Sequence, residues 1–312
     1  MRVALGRVGI LQSPGGRRLQ QLKPDWDFVE GHRDDWAALV RDADAIVPMM
    51  SPVTDTELEG SPARIVQQFG IGLDTIDLEA CRRRGVPVAN VPGDVSGNAD
   101  SVAELAVAAL LWLARDLDAQ RAAARSGGQG RPVRAVFGRS VALIGLGSVG
   151  AAIAKRLDPF GVHVTAVRAH PDRGGAPGVD RVVGTDRLDE VLAEADVVIC
   201  AAPDGGNGPL FTADRFAVVR EGADFINIAR GGLVDEPALL AALDSGPIAG
   251  AALDVFAHEP PDPSNPLVTH ERVIATPHIA GVTEQNLLGT ADAVVENIER
   301  VLRGEDPRWR AV

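Results

Sequence analysis

Short apolar runs alternate with amphipathic stretches through the first hundred residues. Arg2–Leu5, Ala45–Val47, Arg64–Phe69 and Val86–Val91 read as strands, with helices such as Trp36–Asp42 and Leu78–Arg84 between them. Such alternation predicts a parallel sheet with helices on its faces. Around Gly93–Asn98 the pattern changes. Ser101–Arg121 predicts one long apolar-rich helix with Glu104 in its first turn, and Ser126–Pro132 a loop. From Val141 a second α/β series begins. Its candidate strands are Ser140–Ile144, Val162–Val167, Asp196–Ala201, Ala223–Ile228, Gly250–Val255 and Arg272–Ala275, with helices such as Ala151–Leu157 and Leu188–Ala193 between the early ones. The last helix, Glu284–Leu302, is long enough to pack back on the first domain. The expectation is an α/β chain of two doubly wound parallel-sheet domains. Residues 98–283 form one, inserted into another built from 1–97 plus 284–312.

Composition narrows the class. Apolar residues make up 46% of the 312, enough for sizeable cores, and the net charge is −12. A chain that acidic is a poor nucleic-acid binder, because phosphate contacts need a basic face. The two cysteines, Cys81 and Cys200, have no metal-site spacing and give no disulfide framework, which fits a reducing cytoplasm. The N-terminus lacks the features of a signal peptide. The longest apolar stretch, Leu105–Ala114, is too short to span a bilayer. A cytoplasmic protein without membrane, nucleic-acid or metal partners is expected.

One glycine pattern carries chemistry. In VALIGLGSVGAAIAKRL, Gly145-x-Gly147-x-x-Gly150 follows an apolar strand and opens a helix. The pattern alone is weak; this context is what a pyrophosphate-binding turn requires. Gly145 permits the tight turn, Gly147 lets the backbone approach phosphate, and Gly150 lets helix and strand pack closely. The helix N-terminus adds N–H groups and a partial positive charge. The plainer reading is a glycine-rich turn with no ligand. About 20 residues on, where an NAD-binding unit carries an acid for the ribose hydroxyl, stands Arg168, with His170 and Arg173 nearby. A guanidinium grips a 2′-phosphate that a carboxylate repels. NADP is therefore preferred and NAD remains possible; Arg168 as a solvated surface residue is the alternative.

Ligands of open α/β sheets sit beyond the carboxyl ends of the strands. There, three neighbouring strands deliver Arg230, Glu259 and His278. That set suits carbonyl reduction. Hydride addition builds negative charge on the ketone oxygen, and His278 can donate a proton to it. Glu259 can hold the other imidazole nitrogen and favour its charged form. Arg230 can bind a substrate carboxylate and polarise the carbonyl. Each has a plainer alternative. Arg230 could pair with Asp235 or Glu236, Glu259 could be a surface residue, and His278 a satisfied buried histidine. His258 competes as the acid because it adjoins Glu259.

The stretches FGIGLDTIDLEACRRRGVPVANVPG, NADSVAELAVAALL, VALIGLGSVG, NIARGGLVDEPALLAAL, AALDVFAHEP and TPHIAG cover most of residues 65–281. Together they resemble the D-isomer-specific 2-hydroxyacid dehydrogenases, with glyoxylate/hydroxypyruvate reductase-like and phosphoglycerate dehydrogenase-like members. The resemblance implies a Rossmann cofactor domain inserted into a flavodoxin-like substrate domain. It implies Arg230, Glu259 and His278 as substrate-binding arginine, supporting acid and proton donor/acceptor. Cofactor contacts are implied at Gly145, Gly147, Ser148, Val149, Gly150, Arg168, Pro203, Ala229 and Asp254, the last holding the nicotinamide amide. Backbone amides of Ile71 and Gly72 are implied to bind the substrate carboxylate, and pairing to be homodimeric through the cofactor domain. The expected activity is NAD(P)-dependent reduction of a small 2-oxo acid to its D-2-hydroxy acid; the alternative is a non-enzymatic dinucleotide sensor like the family's corepressors. Met49, Met50 and Ser51 are expected to line the pocket, the methionines favouring an alkyl or aromatic group over a phosphate. Two departures stand out: PDGGNGPLF replaces the usual PLTPET-like segment after the third strand, and Arg168 replaces the usual Asp. The absence of a regulatory domain after residue 312 sets an expectation against a long, serine-regulated phosphoglycerate dehydrogenase.

Overall fold

The computed structural model describes residues 1–312, with the side chain of Arg33 outside the described set. The chain forms two compact units, one of residues 1–98 with 282–312 and one of residues 99–281.

The first unit is built on five strands: β1 (Arg2–Leu5), β2 (Asp27–Glu30), β3 (Ala45–Val47), β4 (Val66–Gln67) and β5 (Val88–Ala89), in the order β2-β1-β3-β4-β5 and all parallel. This is the flavodoxin-like order. Alternation along the strands divides the core. Val3, Leu5 and Val47 pack with Leu19, Val294 and Ile298 on one face. Ala4, Ile46, Val66 and Val88 pack with Trp36, Val40 and Ala80 on the other. The helix Glu284–Leu302 lies against the helix Pro14–Leu22, an arrangement supported by the Arg18–Asp292 and Lys23–Glu299 ion pairs. Inside it, buried Asn297 donates to Gln67 Oε1 at 2.8 Å.

The second unit carries seven parallel strands: β6 (Ser140–Ile144), β7 (His163–Val167), β8 (Arg181–Val183), β9 (Val197–Cys200), β10 (Ala223–Asn227), β11 (Ile248–Leu253) and β12 (Val273–Ala275), in the order β12-β11-β10-β9-β6-β7-β8. Order reverses between β6 and β9, the switch point at which doubly wound sheets bind ligands. Phe211, Phe216 and Phe225 form one aromatic corner of the core, with edge-on contacts at centroid distances of 4.8 and 5.4 Å to Phe225. At the start of β10 the fully buried Asp224 accepts from Arg134 Nη2 at 2.7 Å and Arg139 Nη1 at 2.9 Å. Arg139 also donates to Asp196 O at 2.7 Å.

Three expectations are corrected. The edge strands β2 and β8 are additional to those predicted. The long helix breaks: Asn98–Arg115 ends at Asp116, which adopts φ 44°, and Leu117–Arg125 follows as a separate helix with no buried residue. The apolar face that held the first helix does not continue, and aspartate tolerates the left-handed bend. Because the helix starts at Asn98, its first-turn acid is Asp100 rather than Glu104. Among the described residues, no helix is long and apolar enough to cross a membrane.

Candidate active site

The glycine turn leaves β6 as the sequence suggests. Gly145 has φ +101°, and a Cβ on it would lie 2.6 Å from Ala201 O at the exit of β9. A Cβ on Gly150 would fall 2.1 Å from Gly145 O, so the helix Ser148–Leu157 is seated against the turn as no larger residue allows. Gly147 differs: its Cβ would meet nothing within 4 Å. It caps the helix with no side-chain hydrogen bond. Gly147 and Ser148 are exposed, the first N–H groups have no side-chain cap, and that cradle fits a dinucleotide pyrophosphate. Arg168 follows β7 half-buried, its Nη1 donating to Gly174 O at 3.1 Å across the His170–Arg173 bend. Pro203 is exposed beyond β9.

Strands β10, β11 and β12 are adjacent and parallel, so their carboxyl ends share one edge. Arg230 stands three residues beyond Asn227, the last residue of β10. Fully buried Asn227 shapes this turn, donating to Arg230 O at 3.0 Å and accepting from Ala229 N at 3.1 Å. Ala229 is buried, and Arg230 Nη1 donates to its carbonyl at 2.8 Å.

After β11, Asp254 is 2% exposed. It accepts three hydrogen bonds from the segment beyond β12: Thr276 Oγ1 at 2.6 Å and Ile279 N at 2.8 Å on Oδ1, and Ala280 N at 2.8 Å on Oδ2. These bonds wrap the chain around His278, which adopts φ 53° and donates its own N–H to Asp254 O at 2.8 Å.

His278 Nδ1 lies 2.6 Å from Glu259 Oε2, with side-chain exposures of 39% and 22%. Glu259 Oε1 accepts from Phe256 N at 3.2 Å. The hydrogen bond to Glu259 raises the His278 pKa above the ordinary histidine value, helped by the charges of Glu259 and Asp254 and opposed by burial and Arg230. Burial pushes Glu259 up, but the His278 hydrogen bond and charge, the Phe256 N–H and Arg230 outweigh it and hold the carboxyl below its usual range. Glu259 thus pairs with His278, while His258 lies exposed beside it. With Nδ1 engaged, Nε2 is the nitrogen left to exchange a proton. Arg230 influences both groups, so the three expected residues converge within one unit.

In the first unit, Met50 and Ile71 are exposed at 55% and 36%. Buried Gln68 joins their loops, donating through Nε2 to Met49 O at 3.0 Å and Gly72 O at 2.6 Å. Sequence reasoning passed over Gln68, Asn227 and Thr276, all buried or half-buried polar residues in apolar strands or beside a named motif. Polarity inside an apolar run is the signal that points to them. Among the described residues, no group of His, Cys, Asp or Glu is arranged to hold a metal ion.

A family model described as "D-isomer specific 2-hydroxyacid dehydrogenase, NAD binding domain" matches residues 107–280. A glyoxylate reductase of Thermofilum pendens is 32% identical over 315 residues, covering 96% of this chain and 91% of that protein. A D-3-phosphoglycerate dehydrogenase of Mycobacterium tuberculosis is 35% identical over 294 residues, covering 91% of this chain and 54% of that protein. The chain spans about half the length of the curated phosphoglycerate dehydrogenases it matches. A solved structure of a protein from Thermus thermophilus superposes with a TM-score of 0.87 at 30% identity, covering 100% of both chains. A nicotinamide dinucleotide is the family's cofactor, and the cradle at Gly147 fits it. With its two parallel-sheet units and its match to the family over more than half its length, the chain belongs to the D-isomer specific 2-hydroxyacid dehydrogenases.

Proposed function

We propose that the protein reduces a small 2-oxo acid to the D-2-hydroxy acid with NADPH as preferred donor, NADH being the second candidate. The observation that carries this reading is the His278–Glu259 pair at 2.6 Å, on the strand edge that also presents Arg230. The nicotinamide, when bound, supplies the hydride that reaches the substrate carbon. His278 donates its Nε2 proton to the carbonyl oxygen as charge builds there. Glu259 fixes the tautomer and stabilises the imidazolium through Nδ1. Arg230 binds the carboxylate and polarises the carbonyl. In the reverse direction His278 takes the hydroxyl proton. A non-enzymatic sensor gives no use for this constellation.

The unit of residues 99–281 is assigned as the cofactor domain and the other as the substrate domain. Gly145, Gly147, Ser148, Val149 and Gly150 are assigned to the pyrophosphate, Arg168 to the 2′-phosphate, Pro203 and Ala229 to the nicotinamide half, and Asp254 to the carboxamide. Ile71 and Gly72 are assigned to the substrate carboxylate. Two contacts support this. Gly70 O accepts from Val91 N at 2.8 Å and Ile71 O accepts from Asn90 Nδ2 at 2.8 Å. Each trans peptide therefore turns the N–H of Ile71 or Gly72 away from these partners. Met50 is assigned to the substrate side group.

A homodimer through the cofactor domain is proposed from the family resemblance, with Phe137, 76% exposed on that unit, as its probe. Light scattering on wild type and Phe137→Asp tests this: a dimer that dissociates in the variant supports it, and a wild-type monomer refutes it. A cytoplasmic location is part of the same proposal.

The activity is tested by following NADPH and NADH oxidation with glyoxylate, hydroxypyruvate, pyruvate and phenylpyruvate. Turnover that collapses in His278→Ala and Arg230→Ala supports the reading. Turnover that persists in both variants refutes the assigned roles.

A further inference from the structure

Residues 257–260, which carry Glu259, lie at the surface, and most of the segment running on to Asn265 is exposed with them. The Glu259 side chain is itself only 22% exposed, and two contacts from outside the segment hold the segment's ends. Glu236, the first residue of the helix Glu236–Ser245, accepts Ala257 N on Oε1 at 2.7 Å. Its Oε2 accepts Asn265 Nδ2 at 2.9 Å. One carboxylate thus holds both ends of the segment. Asn265 is fixed in turn, because its Oδ1 caps the helix Pro266–Thr269 by accepting Leu267 N at 2.9 Å.

The helix that Glu236 opens begins just after Arg230. Between the two residues Gly231 packs against the turn: a Cβ there would lie 1.9 Å from Phe256 C and 2.0 Å from its oxygen. The loops leaving β10 and β11 are therefore in direct backbone contact at Gly231 and Phe256, and a charged clamp closes them at Glu236, Ala257 and Asn265. The Phe256 N–H that Glu259 accepts is one residue from the clamped Ala257 N–H.

We propose that Glu236 is a positioning residue of the active site, holding the Ala257–Asn265 segment so that Glu259 stays in register with His278. This rests on the assignment of His278 and Glu259 under the proposed function. Hydrogen bonds to a carboxylate are the stronger kind, and a displacement of about 1 Å costs on the order of a hundredfold in rate. Loss of the clamp is expected to lower the rate of reduction with smaller change in the KM of the 2-oxo acid.

The charged groups that face His278 are Glu259, Asp254 and Arg230. Glu236→Gln removes a charge as well as the clamp, so Asn265→Ala, which keeps that charge and breaks one arm of the clamp, is the charge-neutral control: an acidic His278 shift in Asn265→Ala as well supports a positioning role, and a shift confined to Glu236→Gln overturns it. In Glu236→Gln, whichever way the new amide turns, one N–H group faces another, at Ala257 N or at Asn265 Nδ2. Asn265 cannot turn to relieve it without giving up its cap on Leu267. The double variant Glu236→Gln/Asn265→Asp exchanges the two chemistries. The amide introduced at position 236 would accept Ala257 N and donate to the carboxylate introduced at position 265, which still caps the helix.

The test is the imidazole titration of His278, followed by NMR in the dinucleotide-free protein, for wild type, Glu259→Gln, Glu236→Gln, Asn265→Ala and the double variant. The expected result is an acidic shift in Glu259→Gln, a smaller acidic shift in Glu236→Gln, and a return toward wild type in the double variant, with reduction rates moving in parallel. A His278 titration unchanged in Glu236→Gln overturns the proposal, even where thermal stability falls. A shift that the exchange does not reverse overturns it as well. The titration needs no turnover, so a wild-type protein inactive on every 2-oxo acid would refute the assigned activity while leaving the clamp tested by itself.

Discussion

His278 Nδ1 and Glu259 Oε2 meet at 2.6 Å, and the second oxygen of the same carboxylate is held by the Phe256 N–H at 3.2 Å. The hydrogen bond that His278 Nδ1 donates to Glu259 raises the histidine, while the carboxylate, pushed up by burial but held by His278, ends below its ordinary range. In the proposed reduction His278 acts protonated, so kcat/KM should hold below the raised His278 value and fall as pH rises through it, and oxidation should rise over the same window. In Glu259→Gln the falling limb should move toward acid. Rate profiles in both directions check this; a limb left in place would detach His278 from the chemistry.

Stability carries the same coupling with opposite signs for the two partners. The folded protein holds the His278 proton more tightly, so that share of stability is complete below the unfolded histidine value. It is lost as pH rises through the folded one. The Glu259 share is present above the unfolded carboxylate value and is lost as pH falls through the lowered folded one. The Tm difference between wild type and Glu259→Gln should be widest between those limits and shrink at both ends, as calorimetry across pH will show.

Asp254→Asn should damage both fold and rate. The amide must set an NH2 where Oδ1 or Oδ2 now accepts from Thr276, Ile279 or Ala280. One buried donor then loses its acceptor, at about 1–3 kcal/mol, and the left-handed turn at His278 loses a tie. Denaturant unfolding and kcat for reduction should both register it.

Arg168→Asp tests the proposed NADPH preference. A charge-assisted hydrogen bond is worth about 1.5–3 kcal/mol, so the ratio of kcat/KM for NADPH over NADH should drop by roughly 10- to 100-fold. A ratio that stays put would return Arg168 to its plainer role of bridging to Gly174.

Asp224→Ala tests the far edge of the same sheet. It leaves Arg139, whose side chain is 11% exposed, and Arg134 without their shared carboxylate. Breaking such a buried pair costs about 3–5 kcal/mol. The midpoint of denaturation should fall with little change in slope, and the KM of any substrate should not follow.

Most of this architecture was legible because the strands that build the site are mostly apolar and each is followed within a few residues by one of distinct chemistry. Arg230, Glu259 and His278 could be placed on one edge from the order of β10, β11 and β12 alone. The edge strands β2 and β8 escaped notice for a physical reason. Asp27–Glu30 and Arg181–Val183 are short and only partly buried, so they lack a continuous apolar run. The break at Asp116 was hidden because the residues beyond it keep good helix propensity while losing their buried face. Glu236 entered the sequence reading only as a possible partner of Arg230; its grip on Ala257 and Asn265 depends on a fold that brings residues more than twenty apart together.

The first unit is assembled from both ends of the sequence, residues 1–98 and 282–312. On the ribosome, β1 and β3 emerge early, yet Val294 and Ile298, which cover Val3, Leu5 and Val47, come only after the whole of residues 99–281. The inner unit can therefore complete its fold while the outer one still waits, its apolar sheet face covered only in part by the helix that carries Leu19. The order of synthesis makes that face the segment of the nascent chain most in need of a chaperone.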